Sequence, residues 1–373
     1  MRGQCGQQSV GRRLRRPYHL FALEGRTIGP PQLPGQPQGT PWPTRDWPCG
    51  DLPASADLRR VEQLLDHAFG GEATAELGDT HGVVIVHAGR LVLERYAPGF
   101  GPETTCPSWS MAKSITHALV GLLVGDGRLD IAAPAPVPQW RGEGDPRARI
   151  TLDHLLRMSS GLAFIEHYVQ GEPSDVIEML FGTGKDDVAG FAANFPLAHP
   201  PGSFFSYSSG TTNIVSRCVA DVLGTDGAGF DTFMRRRLFE PLGMRSAVPR
   251  FDAAGTFIGS SYCFASPRDF ARFGLLYLRD GVWDGQRLLP EGWVDYARTP
   301  TFQQPGGEVD GPYGAHWWLE KTGPGSFSAN GYDGQWIALC PDRDLVIVRN
   351  GATPEAAKNT LKAWVSDLAG AFA

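Results

Sequence analysis

Apolar positions recur with two different periods along the chain, and these periods predict the order of its elements. Residues 56–69 carry apolar side chains at helical spacing, whereas residues 81–87 and 90–96 are two short apolar runs separated by Ala-Gly. The first pattern predicts an amphipathic helix and the second a β-hairpin. A long apolar stretch then begins at Ser110 and is closed at Gly125, which predicts a buried helix.

The rest of the chain predicts a helical middle and a second set of strands. Residues 145–250 combine helical stretches with long polar loops. One helix is predicted over 151–158, with Thr151 as its cap, and another over 266–279, opened by Ser266-Pro267. Three strands and a closing helix follow, over 313–320, 335–339, 344–349 and 354–372.

Strands near both ends of the chain predict one antiparallel sheet, flanked by helices and interrupted by the helical middle. The fold class is therefore α/β, in the α+β sense. We predict an N-terminal extended arm over residues 1–55. The sheet subdomain is predicted from 56–145 together with 266–373, and the helical subdomain from 146–265.

The arm is predicted from composition. Residues 26–54 are rich in Pro and Gly, which favour extended chain over helix or sheet. Trp42 and Trp47 lie in this segment, and large aromatic side chains are stabilised by burial. We therefore expect the arm to lie against the surface of the protein.

Charge and composition exclude several classes of function. The 373 residues carry a net charge of −6, and the one basic cluster, over residues 12–16, is followed by no apolar run of signal-peptide length. We expect no nucleic-acid partner and no membrane span. A cytoplasmic location is the default expectation, and export through a signal upstream of a misjudged start codon is the open alternative. The sequence leaves the oligomeric state open.

Cysteine and histidine spacing predicts neither a disulfide frame nor a metal site. The six cysteines are scattered without a CxxC pair, and the nine histidines form no HExxH or HxH motif. In a chain of this length such cysteines are typical of free thiols. We expect no metal and no other cofactor.

One short motif on the buried helix suggests chemistry. In Ser110-Met-Ala-Lys113, helical spacing places a hydroxyl and an amine on one face, about one turn apart. This is the arrangement of a nucleophile beside its own base, provided that burial lowers the pKa of the lysine. Chance alone supplies such a pair in roughly one chain of four of this composition. A capping serine beside an unrelated surface lysine is therefore an equal alternative.

Two further segments could complete a site. Tyr207-Ser-Ser209-Gly lies in a Gly- and Ser-rich stretch, where a tyrosine could pass a proton to a leaving group. Residues 330–335 read Asn-Gly-Tyr-Asp-Gly-Gln, and the glycines there would let the backbone approach a ligand closely. The simpler interpretations are a turn tyrosine at the edge of the core and an ordinary hairpin turn.

Taken in order, these motifs resemble the serine β-lactamase and penicillin-binding protein superfamily. Within it the chain is most similar to class C β-lactamase-related hydrolases, which include esterases and 6-aminohexanoate-dimer hydrolases. The resemblance extends over about residues 55–370 and implies a β-lactamase/transpeptidase-like fold. Four further segments of the sequence carry the resemblance: Gly127-Arg-Leu-Asp130, His154-Leu-Leu-Arg-Met-Ser-Ser-Gly-Leu162, Arg268-Asp-Phe-Ala-Arg-Phe-Gly274 and Gly331-x-x-Gly334-Gln335.

The resemblance implies a role for each motif residue. Ser110 would be acylated, Lys113 would be its base and Tyr207 would relay the proton to the leaving group. The backbone N–H groups of Ser110 and Gln335 would form the oxyanion hole. Tyr168 aligns with a substrate-contacting tyrosine of the nylon-oligomer hydrolases. The remaining predicted substrate contacts are Ser209, Tyr332, Asp333 and Gly334.

Departures from the family pattern narrow the expected substrate. The third motif is usually Lys-Thr-Gly or His-x-Gly, but here Tyr332-Asp333-Gly334 replaces it, and Asp333 would repel a substrate carboxylate. Lys321-Thr-Gly is followed by Pro-Gly, which predicts a hairpin turn. Ser209 stands where β-lactamases carry Asn, so the amide that meets the lactam side chain is missing.

These departures favour a serine hydrolase, a carboxylesterase or amidase, that acts through an acyl-enzyme on small carboxylic esters or amides. Its partner would be a small molecule that is neutral or carries an amine. A β-lactamase or D-alanyl-D-alanine peptidase is the second interpretation. A non-catalytic ligand-binding member of the same fold is the third.

Overall fold

The computed structural model describes residues 30–71, 76–168, 171–302 and 311–373. The first 29 residues, which include the basic cluster, the start of the predicted arm and Cys5, lie outside this part of the chain. The helices are α1 (Leu58–Phe69), α2 (Met111–Gly125), α3 (Leu152–Leu156), α4 (Asp175–Phe181), α5 (Val188–Ala193), α6 (Ser209–Leu223), α7 (Gly227–Met234, continued by Arg235–Phe239 and Glu240–Leu242), α8 (Pro267–Leu278), α9 (Trp293–Ala297) and α10 (Lys358–Gly370). The strands of the main sheet are β1 (Asp79–His87), β2 (Arg90–Tyr96), β3 (Trp318–Leu319), β4 (Phe327–Gly331), β5 (Gln335–Cys340) and β6 (Leu345–Ala352).

Short elements join these parts. Two-residue strands pair Val248–Pro249 with Cys263–Phe264 and Val282–Trp283 with Gln286–Arg287. Single turns of 3-10 helix lie at Pro138–Trp140, Pro146–Arg149, Tyr332–Gly334, Pro341–Arg343 and Glu355–Ala357.

Both ends of the chain contribute to one sheet, as the sequence predicts. The strand order is β2-β1-β6-β5-β4-β3, and every neighbouring pair is antiparallel. β1 joins the N-terminal and C-terminal strands of the sheet, because it pairs with β2 on one side and with β6 on the other. The sheet and its helices confirm the predicted α/β fold class. The subdomain boundaries stay a prediction.

Alternate side chains of the central strands pack into two separate hydrophobic cores, one on each face of the sheet. In β1, Val84 and Val86 pack into the core shared with α2 and α8, while Val83 and Ile85 pack into the core shared with α1 and α10. Successive strand side chains point to opposite faces of a sheet, so an uninterrupted apolar run is expected where helices cover both faces. This explains why the run 81–87 shows no polar alternation.

The buried helix α2 connects the sheet to the helical region. Its residues from Met111 to Leu123 are all buried, which matches the predicted apolar stretch. It contacts helix α6 on one side and strands β4 and β5 on the other. The start of this helix therefore lies where the two halves of the fold meet.

Helix caps follow the predicted positions. The side chain of Thr151 accepts a hydrogen bond from the backbone N–H of His154 at 3.1 Å, and the imidazole of His154 accepts in return from Thr151 N–H. Ser266 caps α8 in the same way, with Pro267 as the first helical residue. Such caps satisfy N–H groups that have no partner inside the helix.

The predicted strand 313–320 is wrong over most of its length. Only Trp318–Leu319 is a strand, because the chain turns back before it, with Gly314 N–H bonded to the carbonyl of Trp317. His316 and Glu320 both have φ of +56°, a left-handed conformation that strand residues do not adopt. The sheet instead gains β4, a strand that the sequence did not predict.

The described part of the arm, residues 30–55, lies against the surface as predicted. Trp47 is buried, and the ring of Trp42 packs 5.1 Å from that of Trp283. Arg272 donates to the backbone carbonyl of Pro43 at 2.7 Å. The arm is thus held both by its aromatic side chains and by its backbone.

Among the described helices, none combines the length and the apolar character needed to cross a bilayer. The cytoplasmic location stays a prediction.

Two glycines with the same backbone conformation test how much the packing of the arm contributes to the stability of the fold. Gly243 (φ +74°) ends a helix beneath the arm, and a Cβ added there would lie 1.9 Å from the carbonyl oxygen of Thr44. Gly224 (φ +67°) ends α6 with no heavy atom within 4 Å of an added Cβ. We expect Gly224→Ala to lower the free energy of unfolding by about 1 kcal/mol from left-handed strain alone. Gly243→Ala should cost roughly 2 kcal/mol more, because the arm must move.

Urea denaturation of the two variants measures this difference, and Gly224→Ala serves as the matched control. Equal losses of stability in the two variants would show that the arm does not press on Gly243.

Candidate active site

Ser110 is held by a tight turn at the start of α2. It occupies the N-cap position, and the N–H groups of Met111, Ala112 and Lys113 bond back to the carbonyls of residues 108–110. The preceding Trp109 has a left-handed φ of +43°. Ser108 secures the turn, since its hydroxyl oxygen accepts from Cys263 N–H at 3.0 Å. The predicted start of the helix is confirmed. The hydrogen bonds of this turn fix the position of Ser110.

The amine of Lys113 lies in the protein interior among three oxygen atoms. Its Nζ is 2.9 Å from Ser110 Oγ, 3.0 Å from Ser209 Oγ and 3.0 Å from the carbonyl oxygen of Ser260. The side chain is 1% exposed. Burial lowers the pKa of Lys113 to about 8, against an opposing effect of the negative charge of Glu166. A substantial fraction of this lysine is therefore neutral near physiological pH.

Tyr207 lies over the same amine. Lys113 Nζ is 4.8 Å from the centre of the Tyr207 ring, and the phenol also interacts with the side chain of Ser110. The ring stacks on Trp318 at 5.5 Å, which sets its orientation. Burial, together with the charge of Glu166, raises the pKa of Tyr207 above its usual value. Tyr207 therefore keeps its proton at neutral pH.

The third motif forms the turn between β4 and β5, next to Ser110. Gly331 packs so closely that a Cβ there would lie 2.3 Å from the carbonyl oxygen of Ser108. Asp333 (φ +57°) and Gly334 (φ +74°) complete the turn in left-handed conformations. The side chain of Gln335 is fully buried, where its Nε2 donates to the carbonyl of Gly351 at 2.6 Å. The side chain of Gln335 is therefore committed to hydrogen bonds inside the fold.

A buried arginine supports this turn from beneath. Arg349 on β6 donates to the carbonyl oxygens of Gly334 at 2.9 Å and Asp333 at 3.3 Å. Its other terminal nitrogen donates to Asp79 O at 3.1 Å and Thr80 Oγ at 3.2 Å. Burial lowers the pKa of Arg349 to about 10, so it remains charged at neutral pH. No sequence motif predicted this residue.

Asp333 presents a carboxylate at the mouth of the site. The carboxylate interacts with the side chain of Trp109, the residue directly before Ser110. Burial raises the pKa of Asp333, although Trp109 and Arg349 partly offset this effect. The structure therefore places an acidic group in the third motif, where the family pattern has Lys-Thr-Gly or His-x-Gly and so carries a cation instead.

Glu166 is a site residue that sequence reasoning missed. Its carboxylate accepts hydrogen bonds from the N–H and, at 2.8 Å, from the hydroxyl of Ser209, and from the hydroxyl of Tyr168 at 2.7 Å. Glu166 lies 43 positions before Ser209. Its only sequence signal is its place two residues before Tyr168, which no recognised motif includes.

Aromatic side chains close the mouth of the site. Tyr168 stacks on Tyr332 at 5.5 Å, and Tyr332 meets Trp109 edge-on at 5.7 Å. Tyr168 and Tyr332 remain 48% and 45% exposed, respectively. The predicted substrate contacts Tyr168, Ser209, Tyr332, Asp333 and Gly334 are thus brought together around Ser110, and their part in binding stays a prediction.

His316 is a third residue that the sequence did not indicate, after Arg349 and Glu166. Its Nδ1 is 2.9 Å from the backbone carbonyl of Lys113, and its Nε2 is 3.1 Å from the hydroxyl of Thr212. Because a carbonyl can only accept, the proton lies on Nδ1 and Nε2 accepts from Thr212. Burial and the charge of Lys113 lower the pKa of His316 to about 3, so it is neutral. It joins α2 to α6 from below the site.

Lys321-Thr-Gly lies in the hairpin turn between β3 and β4, as the sequence predicts. Its ammonium is 4.5 Å from the centre of the Trp318 ring. The turn that packs against the Ser108–Ser110 segment is instead the one between β4 and β5. This arrangement supports Tyr332-Asp333-Gly334 as the third motif.

Comparison with known proteins assigns the chain to a family. A model of the beta-lactamase family matches residues 59–368. The chain belongs to the beta-lactamase family. This confirms the resemblance and the β-lactamase/transpeptidase-like fold expected from the sequence.

Members of the family and solved structures resemble this beta-lactamase-family protein over most of its length. The 6-aminohexanoate-dimer hydrolase of Paenarthrobacter ureafaciens is 25% identical over 331 residues, which cover 79% of this chain and 78% of the relative. A Bacillus anthracis structure, provisionally described as a 6-aminohexanoate-dimer hydrolase, has a TM-score of 0.71 at 23% identity and covers 87% of each chain. A family VIII carboxylesterase has a TM-score of 0.62 at 13% identity, covering 86% of this chain and 99% of its own.

The close packing of Gly331 on the Ser108 turn generates a prediction. Gly331 has an ordinary φ of −124°, so an alanine there is strained by its contacts alone, above all with the carbonyl oxygen of Ser108. We expect Gly331→Ala to push the β4–β5 turn away from Ser110 and to slow covalent labelling of Ser110 by a fluorophosphonate roughly 10- to 100-fold.

The control is Gly142→Ala, at an exposed loop glycine with no heavy atom within 4 Å of an added Cβ. Labelling rates are compared by mass spectrometry of the intact proteins. A labelling rate in Gly331→Ala equal to that in Gly142→Ala would contradict a role of this turn in reactivity.

Proposed function

We propose that this protein is a serine hydrolase that acts through an acyl-enzyme on small carboxylic esters or amides. The observation that carries the proposal is the contact of 2.9 Å between the buried Lys113 amine and the Ser110 hydroxyl. A hydroxyl needs an adjacent base to be a nucleophile at neutral pH, and burial has lowered the pKa of this lysine to about 8.

Acylation begins with transfer of one proton. Neutral Lys113 takes the hydroxyl proton of Ser110 and becomes an ammonium, while Ser110 Oγ bonds to the carbonyl carbon of the substrate. The carbonyl π electrons move to oxygen and form an oxyanion. We assign its stabilisation to the backbone N–H groups of Ser110 and Gln335. The close packing of Gly331 on Ser108 supports this assignment, because it brings these two segments together.

Collapse of the tetrahedral intermediate releases the first product. The oxyanion reforms the carbonyl, the bond to the leaving oxygen or nitrogen breaks, and Tyr207 donates its proton to that atom. The Lys113 ammonium returns a proton to Tyr207, which restores both groups to their starting states. The contacts of Tyr207 with Lys113 and Ser110 support this relay.

Hydrolysis of the acyl-enzyme repeats these steps with water. Lys113 takes a proton from water, directly or through Tyr207, and the hydroxide oxygen bonds to the acyl carbon. The bond to Ser110 Oγ then breaks, and Ser110 regains a proton from Lys113. The product is a carboxylic acid, and the enzyme has gained and lost equal numbers of protons.

The surroundings of Ser110 favour substrates that carry no carboxylate at the third motif. Asp333 stands there, and its carboxylate would repel an anionic group. Tyr168, Tyr332 and Trp109 offer aromatic faces to an apolar or cationic group. Small esters are the first choice because their leaving groups need the least assistance. The similarity to a 6-aminohexanoate-dimer hydrolase supports small amides as the second choice.

Other members of the fold could act as β-lactamases, D-alanyl-D-alanine peptidases or ligand-binding proteins without catalysis. Asp333 argues against the first two, since both act on substrates with a carboxylate. The mutual contacts of Ser110, Lys113 and Tyr207 argue against the third.

Covalent labelling tests the proposed nucleophile and base. We expect a fluorophosphonate to add once, at Ser110, and Lys113→Ala to abolish this labelling because the serine then lacks a base. Lys321→Met should keep labelling within about 3-fold of the original protein, because methionine preserves the packing on Trp318.

Peptide mapping by mass spectrometry locates the adduct. An adduct away from Ser110, or a complete lack of one, would refute the proposed function. Loss of labelling in Lys321→Met with retention in Lys113→Ala would refute the assignment of the base.

A pair of substrates tests the role of Asp333. We expect p-nitrophenyl butyrate to be hydrolysed with a higher kcat/KM than nitrocefin, which carries a carboxylate. Asp333→Asn should raise kcat/KM for nitrocefin about 3- to 10-fold, as removal of one nearby negative charge does, and change that for p-nitrophenyl butyrate less than about 2-fold.

Asp342→Asn is the matched control, because Asp342 is an exposed aspartate at the opposite end of β5. Steady-state kinetics of the three proteins decide the outcome. Faster turnover of nitrocefin than of the ester by the original protein would reverse our order of substrates.

A further inference from the structure

The hydrogen bonds around Lys113 can be assigned a direction one by one. The carbonyl oxygen of Ser260 has no proton to give, so Lys113 donates to it at 3.0 Å. The hydroxyl of Ser209 has one proton, and it donates that proton to Glu166 at 2.8 Å. Ser209 Oγ can then only accept from Lys113, across 3.0 Å. Both N–H bonds of a neutral lysine amine are used by these two contacts.

Once both N–H bonds of Lys113 are assigned, only the lone pair of its neutral amine is left for a third contact. A neutral amine has two N–H bonds and one lone pair in a tetrahedral arrangement. Its third neighbour is Ser110 Oγ at 2.9 Å. With both protons directed to Ser209 and Ser260, the lone pair faces the Ser110 hydroxyl, which is the orientation that a base needs.

We propose that Glu166 is a positioning residue that holds the proton of the Ser209 hydroxyl and thereby directs the lone pair of Lys113 to Ser110. This inference rests on the proposed function, in which Lys113 is the base for Ser110. Glu166 touches neither reacting atom and acts through Ser209.

A glutamine cannot take over both hydrogen bonds of the Glu166 carboxylate, because one of them comes from the backbone N–H of Ser209. Glu166 accepts both from the N–H and from the hydroxyl of Ser209. A glutamine has one accepting oxygen and one donating NH₂ group, so it can accept only one of these two bonds with the present geometry. Its oxygen would face the fixed N–H, and its NH₂ would donate to Ser209 Oγ. The hydroxyl proton of Ser209 would then turn toward the lone pair of Lys113 and compete with Ser110.

Glu166 also acts on Lys113 through its charge. The groups that face Lys113 are Glu166, Tyr207 and His316. His316 is neutral because its pKa is about 3, and Tyr207 is protonated because burial raises its pKa. The negative charge of Glu166 favours the ammonium form and so opposes the effect of burial. Removal of this charge should lower the pKa of Lys113.

A double-mutant cycle with Glu166→Gln and Ser209→Ala tests the proposal. Fluorophosphonate labelling of Ser110 is measured at about pH 9, where Lys113 is largely neutral. We expect Glu166→Gln to slow labelling about 10-fold or more when Ser209 is present. In the Ser209→Ala background, where no hydroxyl competes for the lone pair, the same change should alter the rate by less than about 2-fold.

An equal loss of rate from Glu166→Gln in both backgrounds would overturn the proposal, since it would show that Glu166 acts by supporting the fold or by touching the reaction directly. An unchanged rate in Glu166→Gln would overturn it as well. Thermal denaturation of all four proteins shows whether a loss of rate follows a loss of structure.

A second measurement does not depend on catalysis. The chain has five lysines, so ε-¹³C labelling of lysine followed by NMR resolves the titration of Lys113, assigned with Lys113→Ala. We expect the pKa of about 8 to fall in Glu166→Gln, and to fall further with Ser209 present than in the Ser209→Ala background. A hydroxyl proton turned onto the lone pair stabilises the neutral amine, which produces the difference.

Equal falls in the two backgrounds would overturn the proposal even if the protein hydrolyses esters. If the original protein fails to label, the proposed function fails, whereas the lysine titration still decides whether Glu166 directs the proton of Ser209.

Discussion

The rest of the site depends on one constraint, which is that the amine of Lys113 must be taken out of water without losing its hydrogen bonds. Burial of a charged amine is unfavourable, and this penalty is what lowers the pKa of the lysine. The oxygen atoms that receive it come from three separate parts of the chain: the turn at Ser110, the start of α6 at Ser209 and the loop at Ser260. The packing of α2 against α6 and the neutral bridge made by His316 hold these parts together. The helical region is therefore more than a cover over the sheet, because its Ser209 supplies one of the three oxygen atoms around the Lys113 amine.

A second buried cation shows how the same physical effect gives a different outcome. Arg349 is as deeply buried as Lys113, and burial lowers its pKa as well, to about 10. Because guanidinium begins from a much higher pKa, it stays charged at neutral pH, and it holds the carbonyls of Asp333 and Gly334 with fixed geometry. A lysine in that place would be partly neutral and could not hold both sides of the turn. One cation is thus suited to give up its proton and the other to support a loop.

The sequence predicted what depends on local pattern and missed what depends on distant contacts. Helix α2, the β1–β2 hairpin and the strands β5 and β6 follow from apolar periodicity and were confirmed. The strand 313–320 was wrong because its apolar residues continue through His316, whose left-handed backbone no periodicity reveals. Glu166 was missed because its partner Ser209 lies 43 residues away, and a carboxylate in a polar loop is usually solvated. The motif positions Ser110, Lys113, Tyr207 and Asp333 were found, but not the directions of the hydrogen bonds among them.

The directions of the hydrogen bonds around Lys113 bear on one departure from the family pattern, which is Ser209 in place of Asn. The resemblance places Asn where this chain has Ser209, and an asparagine can accept from the lysine through its oxygen while its NH₂ group remains free to donate to a substrate. Serine has a single proton, and here that proton is directed to Glu166. Ser209 with Glu166 can therefore present an acceptor to Lys113 as an asparagine would, but it leaves no donor for a carbonyl group on the substrate. A substrate that relies on such a carbonyl would lose a hydrogen bond, while a simple ester would lose nothing. Under the proposed function, the Ser209–Glu166 pair and the Asp333 carboxylate would therefore disfavour the same class of substrate for independent reasons.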